Sequence, residues 1–148
     1  MPKHIITDTG FWIALIDKND DFHEISNLIY ASASKHQIYL PWPIMYETLR
    51  TKTVKCEIKT TQFEKLFRSS AVEKLSDEHY KDNALQKSVD YSKNGWPISL
   101  ADAVIREMLS DQNIKKDYFV TFNLKDFSDI CGKLKINVLG QHFKNSDW

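Results

Sequence analysis

A chain of 148 residues, 42% hydrophobic and 12% aromatic, can bury one substantial core and is too short for two domains of ordinary size. Its 20 basic and 20 acidic residues cancel, which removes the broad positive field of a protein that coats nucleic acid and leaves only local patches. Cys56 and Cys131 lack the spacing of a zinc pair or a disulfide framework, and no secretory core or bilayer-length apolar run occurs, so a soluble cytoplasmic protein without membrane contact is expected.

In chain order, His4-Ile-Ile-Thr7 is a short apolar run, Asp8 closes it, and the residues to Asp17 resume at helical spacing; the opening predicts strand, acid, helix. Two readings of Asp8 stand side by side. Polar groups beyond the carboxyl ends of parallel strands gather where ligands and metals bind, while an aspartate before Thr-Gly also caps a helix or forms a turn. Asp17 to Asp21 is a polar turn lacking the glycine and terminal acid of a calcium loop. Phe22 to Ser34 predicts a helix with Phe22, Ile25, Leu28 and Ile29 inward.

Gln37 to Leu40 predicts a strand, which Pro41 and Pro43 interrupt before Ile44 to Arg50 resumes helical spacing. Pro43 suits the first helical position, and Glu47 falls about one turn inside. Glu47 either points back toward the strand's end or pairs with Arg50 on the surface. Thr60 to Ser69 predicts a helix with Phe63, Leu66 and Phe67 inward, and Ala71 to Leu75 a short strand. From Ser76 to about Lys93 another helix is expected, with Tyr80, Ala84, Leu85 and Val89 as its apolar stripe and Asn94-Gly95 as its end.

Ile98 to Leu109 is the clearest helix, with Leu100, Ala103, Val104 and Met108 inward. Ser99 and Asp102 sit three apart, a capping box with Asp in place of Glu. Tyr118 to Thr121 predicts a strand that delivers Thr121, Asn123 and Asp126 to a loop, Asp126 also being able to cap a brief turn through Ile130. Ile136 to Leu139 is the last strand. Strands alternating with helices imply parallel pairing through right-handed crossovers, an α/β sandwich in one domain, 1–148.

On such a fold Asp8 and Asp126 follow strands, Glu47 and Asp102 lie near helix beginnings, and all four can face one pocket. Crowded carboxylates raise one another's pKa values, a cost that a divalent cation relieves. Oxygen-only ligation favours magnesium or manganese over zinc, and phosphodiester hydrolysis is the chemistry such ions serve. Ser99, Thr121 and Asn123 are candidates for holding carboxylates or waters in place, with local capping or turn formation as the alternative for each.

Ile-Ile-Thr-Asp8-Thr-Gly, Met-Tyr-Glu47, Ile-Ser99-Leu-Ala-Asp102-Ala-Val-Ile and Val-Thr121-Phe-Asn123-Leu-Lys-Asp126-Phe together resemble the ordered acidic motifs of PIN-domain ribonucleases over nearly the whole chain. Asp20 and His23 in the early loop also look like that family. The resemblance implies a three-layer α/β/α sandwich with a central parallel sheet and a Mg2+- or Mn2+-dependent endoribonuclease. It makes Asp8, Glu47, Asp102 and Asp126 the catalytic, metal-binding set, assisted by Ser99, Thr121 and Asn123. Many such relatives are VapC-type toxins, which implies an antitoxin protein as partner and a homodimer. Some relatives carry another acid where this chain has Asn123, so a second ion would find fewer ligands here.

RNA around an acidic pocket calls for cations and stacking groups. Arg50, Lys52, Lys55, Arg106 and Lys125 are candidates for phosphate contacts, and Trp42, Tyr46 and Trp96 for base stacking; the plain alternatives are solubilising surface and core. Asp8-Thr-Gly10 also matches the aspartic-protease tripeptide, but a helix-rich chain with four glycines argues against that all-β class. Gly10 stands where a haloacid-dehalogenase-like enzyme would want a second acid, and the five histidines lack metal-ligand spacing. The serious rival is a PIN-like module that binds RNA or protein without cutting.

Overall fold

The computed structural model describes the backbone of residues 1–148 and every side chain except that of Asp147. Strands β1 (His4–Thr7), β2 (Gln37–Pro41), β3 (Val72–Leu75), β4 (Tyr118–Val120) and β5 (Asn137–Leu139) form one parallel sheet in the order β3-β2-β1-β4-β5. Ile5 lies opposite Ile38 on one side and Tyr118 on the other. A parallel sheet covered on both faces requires strands apolar on both sides. The two central strands comply: Ile5, Ile6, Tyr118, Phe119 and Val120 are all buried.

Eight helices connect them: α1 (Thr9–Ile16), α2 (His23–Ala33), α3 (Trp42–Thr48), α4 (Thr51–Val54), α5 (Glu57–Phe67), α6 (Lys81–Lys93), α7 (Leu100–Ser110) and α8 (Leu124–Leu134). A 3-10 turn, Asn145–Asp147, closes the chain. The chain runs outward from β1 to β3, then crosses back to β4 and β5. Right-handed crossovers in opposite directions lay helices on opposite faces. Accordingly α1 packs against α2, α3 and α5, and α7 packs against α6 and α8, giving three layers. The reversal falls between β1 and β4, so the carboxyl ends of those two strands flank the crevice where α/β sheets bind ligands.

Trp12, Phe11, Phe63, Phe119 and Phe127 are fully buried. The Trp12 ring meets Phe11 and Phe63 edge-on, and its indole N–H donates 2.8 Å to Thr7 Oγ1, which satisfies the one polar atom it brings inside. No helix among the described residues is long and apolar enough to cross a membrane.

Several local expectations are corrected. Leu28, Leu85, Val89 and Leu100 are exposed rather than inward. In α6 Ala84 packs inward as expected, joined by Ser88 and Tyr91; Ala84 and Ser88 are small enough for α7 to come close, and Ser88 Oγ donates 2.8 Å to the Ile98 carbonyl. Helix α5 begins at Glu57 rather than Thr60, and the extra turn α4 precedes it. Helix α3 starts at Trp42, so Pro43 is second and Glu47 falls in its last turn, not near its beginning.

Candidate active site

The site grows from the two central strands. Asp8 follows β1 directly, its backbone N–H still bonded to the Val120 carbonyl of β4 at 3.1 Å. Its side chain, on a residue only 6% exposed, takes the Thr9 N–H at 2.8 Å on Oδ1 and the Thr121 hydroxyl at 2.8 Å on Oδ2. The capping reading of Asp8 therefore holds, and the residue stands at the carboxyl end of β1 beside the reversal in strand order. Thr121 follows β4 and also accepts the Asn123 N–H at 2.9 Å, so one hydroxyl ties the strand end to the next loop.

Asn123 precedes α8 and donates 2.8 Å from Nδ2 to Asp126 Oδ2, orienting a carboxylate that sits in the first turn of the helix rather than at its cap. Ser99 caps α7, its Oγ accepting the Asp102 N–H at 3.1 Å, which sets Asp102 in that helix's first turn. Glu47 reaches the group from α3, where Thr9 Oγ1 donates to its Oε1 at 2.5 Å. Among the described residues it makes no ion pair with Arg50.

Two of the four acids are raised. Burial pushes the Asp8 carboxyl up to about 6 against the Thr121 and Thr9 hydrogen bonds, and the charges of Glu47 and Asp126 add to the rise. Burial likewise pushes Asp102 up to about 7, with Asp8, Glu47 and Asp126 all contributing. The donor set is all oxygen and carries excess negative charge, which suits magnesium or manganese chemically. Where they stand, however, no three His, Cys, Asp or Glu side chains among the described residues group closely enough to hold a metal ion.

Of the candidate RNA cations, Arg50, Lys52, Lys55 and Lys125 are exposed. Arg50 and Lys52 line a small cleft with Asp17 and Lys59 rather than the acidic crevice. Arg106 corrects its expected role: it is buried, forks onto the Asp129 carboxylate, and lies beneath Trp96 and Tyr91, so its charge is spent inside the fold. Trp42 and Tyr46 remain partly open to solvent, their rings 6.1 Å apart, and Trp96 instead covers Arg106.

Asp20 lies in the connection from α1 to α2, His23 opens α2, and both serve that corner locally. Asp20 accepts the Phe22 N–H at 2.9 Å, and His23 Nδ1 lies 2.6 Å from the Ala14 carbonyl. Phe22 then stacks on Phe122 at 4.3 Å, clamping that connection to the loop that carries Asn123. Sequence reasoning missed Thr9 and this ring pair. A hydroxyl directly after a candidate acid was the available signal for Thr9; nothing in spacing marks Phe22 and Phe122 as partners.

The family model of the PIN domain matches residues 5–133. Among solved structures, Mycobacterium tuberculosis VapC20, described as a sarcin-ricin loop cleaving toxin, superposes with a TM-score of 0.68 at 17% identity, covering 84% of this chain and 94% of its own. VapBC2 from Rickettsia felis, bound to a DNA fragment from its promoter, gives 0.61 at 18%, covering 93% and 98%. DNA-bound VapBC from Salmonella typhimurium gives 0.60 at 18%, covering 95% and 98%. At these identities the likeness is one of fold. No curated protein matches the chain in sequence.

Proposed function

Because the chain belongs to the PIN-domain family, we propose that it is an endoribonuclease that hydrolyses RNA phosphodiester bonds with a divalent cation, and that it is the toxin of a toxin-antitoxin pair. The carrying observation is that Asp8 and Asp102 are both raised near the β1/β4 reversal, chiefly by burial, with Glu47 and Asp126 adding to both and Asp8 adding to Asp102. Asp8, Glu47, Asp102 and Asp126 would hold Mg2+ or Mn2+. When bound, such a cation supplies positive charge to the attacking and leaving oxygens of phosphodiester hydrolysis.

The chain's own groups do the rest. Thr121 and the Thr9 N–H fix both oxygens of Asp8, the Thr9 hydroxyl fixes Glu47, and Asn123 fixes Asp126. Without a cation the Asp102 carboxyl stands at about 7, so a cation held there would displace a proton near neutrality. Of the candidate cations, Lys55 and Lys125 are exposed to meet RNA backbone, while Arg50 and Lys52 would meet it only along the separate cleft beside Asp17. An antitoxin protein as partner, a homodimeric state and a cytoplasmic location accompany the toxin reading; its support is the shared fold of the VapC and VapBC structures.

One observation favours a second reading, a PIN-like module that binds RNA or protein without cutting: the acids do not close around a single point. Cleavage of an RNA panel in Mn2+, compared between wild type and Asp8→Asn, decides. Loss of cutting in Asp8→Asn supports the nuclease; a wild type that binds RNA and cuts none supports the module; activity surviving the substitution overturns the site.

A further inference from the structure

Helix α7 carries Asp102 in its first turn and Arg106 four residues on, along the same side of the helix. Arg106 crosses to α8, where Nη1 donates 2.8 Å to the Asp126 carbonyl and 2.8 Å to Asp129 Oδ1, and Nη2 donates 2.9 Å to Asp129 Oδ2. Its guanidinium lies 4.7 Å from the Trp96 ring centroid and 5.5 Å from that of Tyr91, so the fork cannot swing away without uncovering two aromatic faces. The residue is only 8% exposed.

We propose that Arg106 is a positioning residue for the acidic cluster, a strut that fixes the main chain of Asp126 on α8 relative to Asp102 on α7. The proposal rests on the reading of the four acids as a cation-binding set.

Satisfying the backbone is not its task, because the Asp126 carbonyl lies inside a helix that supplies its own donor four residues on. The ion pair also contributes stability, because the Arg106 side chain is 10% exposed against 53% for Asp129, and metal-free melting reads that contribution apart from Mn2+ affinity. What the fork adds is geometry: two parallel hydrogen bonds to one carboxylate set its plane, and the third lands on the residue whose own carboxylate Asn123 orients from the other side. Asp126 is thus held at its main chain by α7 and at its side chain by its own loop, while Asp102 is fixed by Ser99 at the start of the strut's helix.

Lysine keeps the charge but cannot fork or stack in this way. The test titrates Mn2+ into the full-length chain by calorimetry for wild type, Arg106→Lys, Asp129→Asn and Ile105→Val, the last a core change on the same helix. Far-UV circular dichroism and metal-free melting are recorded for each. Arg106→Lys and Asp129→Asn should remain folded and bind Mn2+ about 10–100-fold more weakly, the loss expected when a group that orients a metal ligand is removed. Ile105→Val should bind within twofold of wild type. If Arg106→Lys does not fold, Asp129→Asn decides alone.

Wild-type affinity in both folded strut variants overturns the strut and leaves the nuclease reading standing. An equal loss in Ile105→Val also overturns it, since the effect then follows stability rather than position. A wild-type chain that takes up no Mn2+ overturns the cation-binding reading and the strut with it.

Discussion

The Thr121 hydroxyl donates 2.8 Å to Asp8 Oδ2 between two residues 113 positions apart, one following each of the two central strands. Both residues are buried, and the same oxygen accepts the Asn123 N–H. Thr121→Val keeps the shape while removing a donor from a buried carboxylate and an acceptor from a loop N–H. Stability should fall by about 1–3 kcal/mol, read from the midpoint of urea unfolding, with Thr121→Ser close to wild type. A valine variant as stable as wild type would show that Asp8 draws nothing from this bond.

A methyl group at Gly140 would stand 2.7 Å from the Thr121 carbonyl oxygen, a backbone atom that cannot turn aside. The Thr121 N–H bonds the Leu139 carbonyl at 3.1 Å in the same ladder, so the push is transmitted straight to the strand end that holds Asp8. Gly140→Ala should cost roughly 1–3 kcal/mol and reduce the thermal response to Mn2+. Gly132→Ala, inside α8 with open space at its Cβ, should instead gain about 1 kcal/mol. Paired melting curves of the two variants check both signs.

The raised acids make metal-free stability depend on pH in a defined sense. Asp8 at about 6 and Asp102 at about 7 both lie above the ordinary 3.8, so between those limits the folded chain binds more protons than the unfolded one. Stability then falls as pH rises through that window and levels off above it. With chelator present, melting temperature should be lower at pH 8 than at pH 5.5, both pH values being about one unit outside the upper shift or within the window. Asp8→Asn should raise the pH 8 value by roughly 5 °C and flatten the profile. A wild-type profile that rises from pH 5.5 to pH 8 would contradict the raising of these carboxyls by burial and neighbouring acids.

Mn2+ should raise the melting temperature, since a cation that binds only the folded chain at 100 times its Kd adds about 2.7 kcal/mol. Asp102→Ala should abolish the response, and acidification should shrink it in wild type, because protons and metal compete for the same oxygens. Differential scanning at pH 5.5 and pH 7.5 separates these effects. An unchanged response in Asp102→Ala would reduce Asp102 to a residue of the α7 first turn.

The acids at strand ends were legible because the sequence marks them twice, by an apolar run that stops and by helical spacing that begins. That is true of Asp8 after β1 and of the Thr121 to Asp126 segment after β4, and the Ser99 cap followed from its three-residue offset to Asp102. The alternation of such runs with helices also determined a parallel sheet and, through crossover handedness, its layers.

Tertiary structure alone decided the rest. Periodicity gives the spacing of apolar residues but not which neighbour a helix meets, so Leu28, Leu85 and Leu100 point outward while Ser88 joins Ala84 at the contact. A charge on a helix reads alike whether solvent or another helix lies across from it; only the approach of α8 turned Arg106 from an apparent surface cation into a buried fork. The joining of Thr9 to Glu47 and of Thr121 to Asp8 likewise waits on the sheet, because pairs 38 and 113 residues apart share no local signal and meet only once the strands are in register.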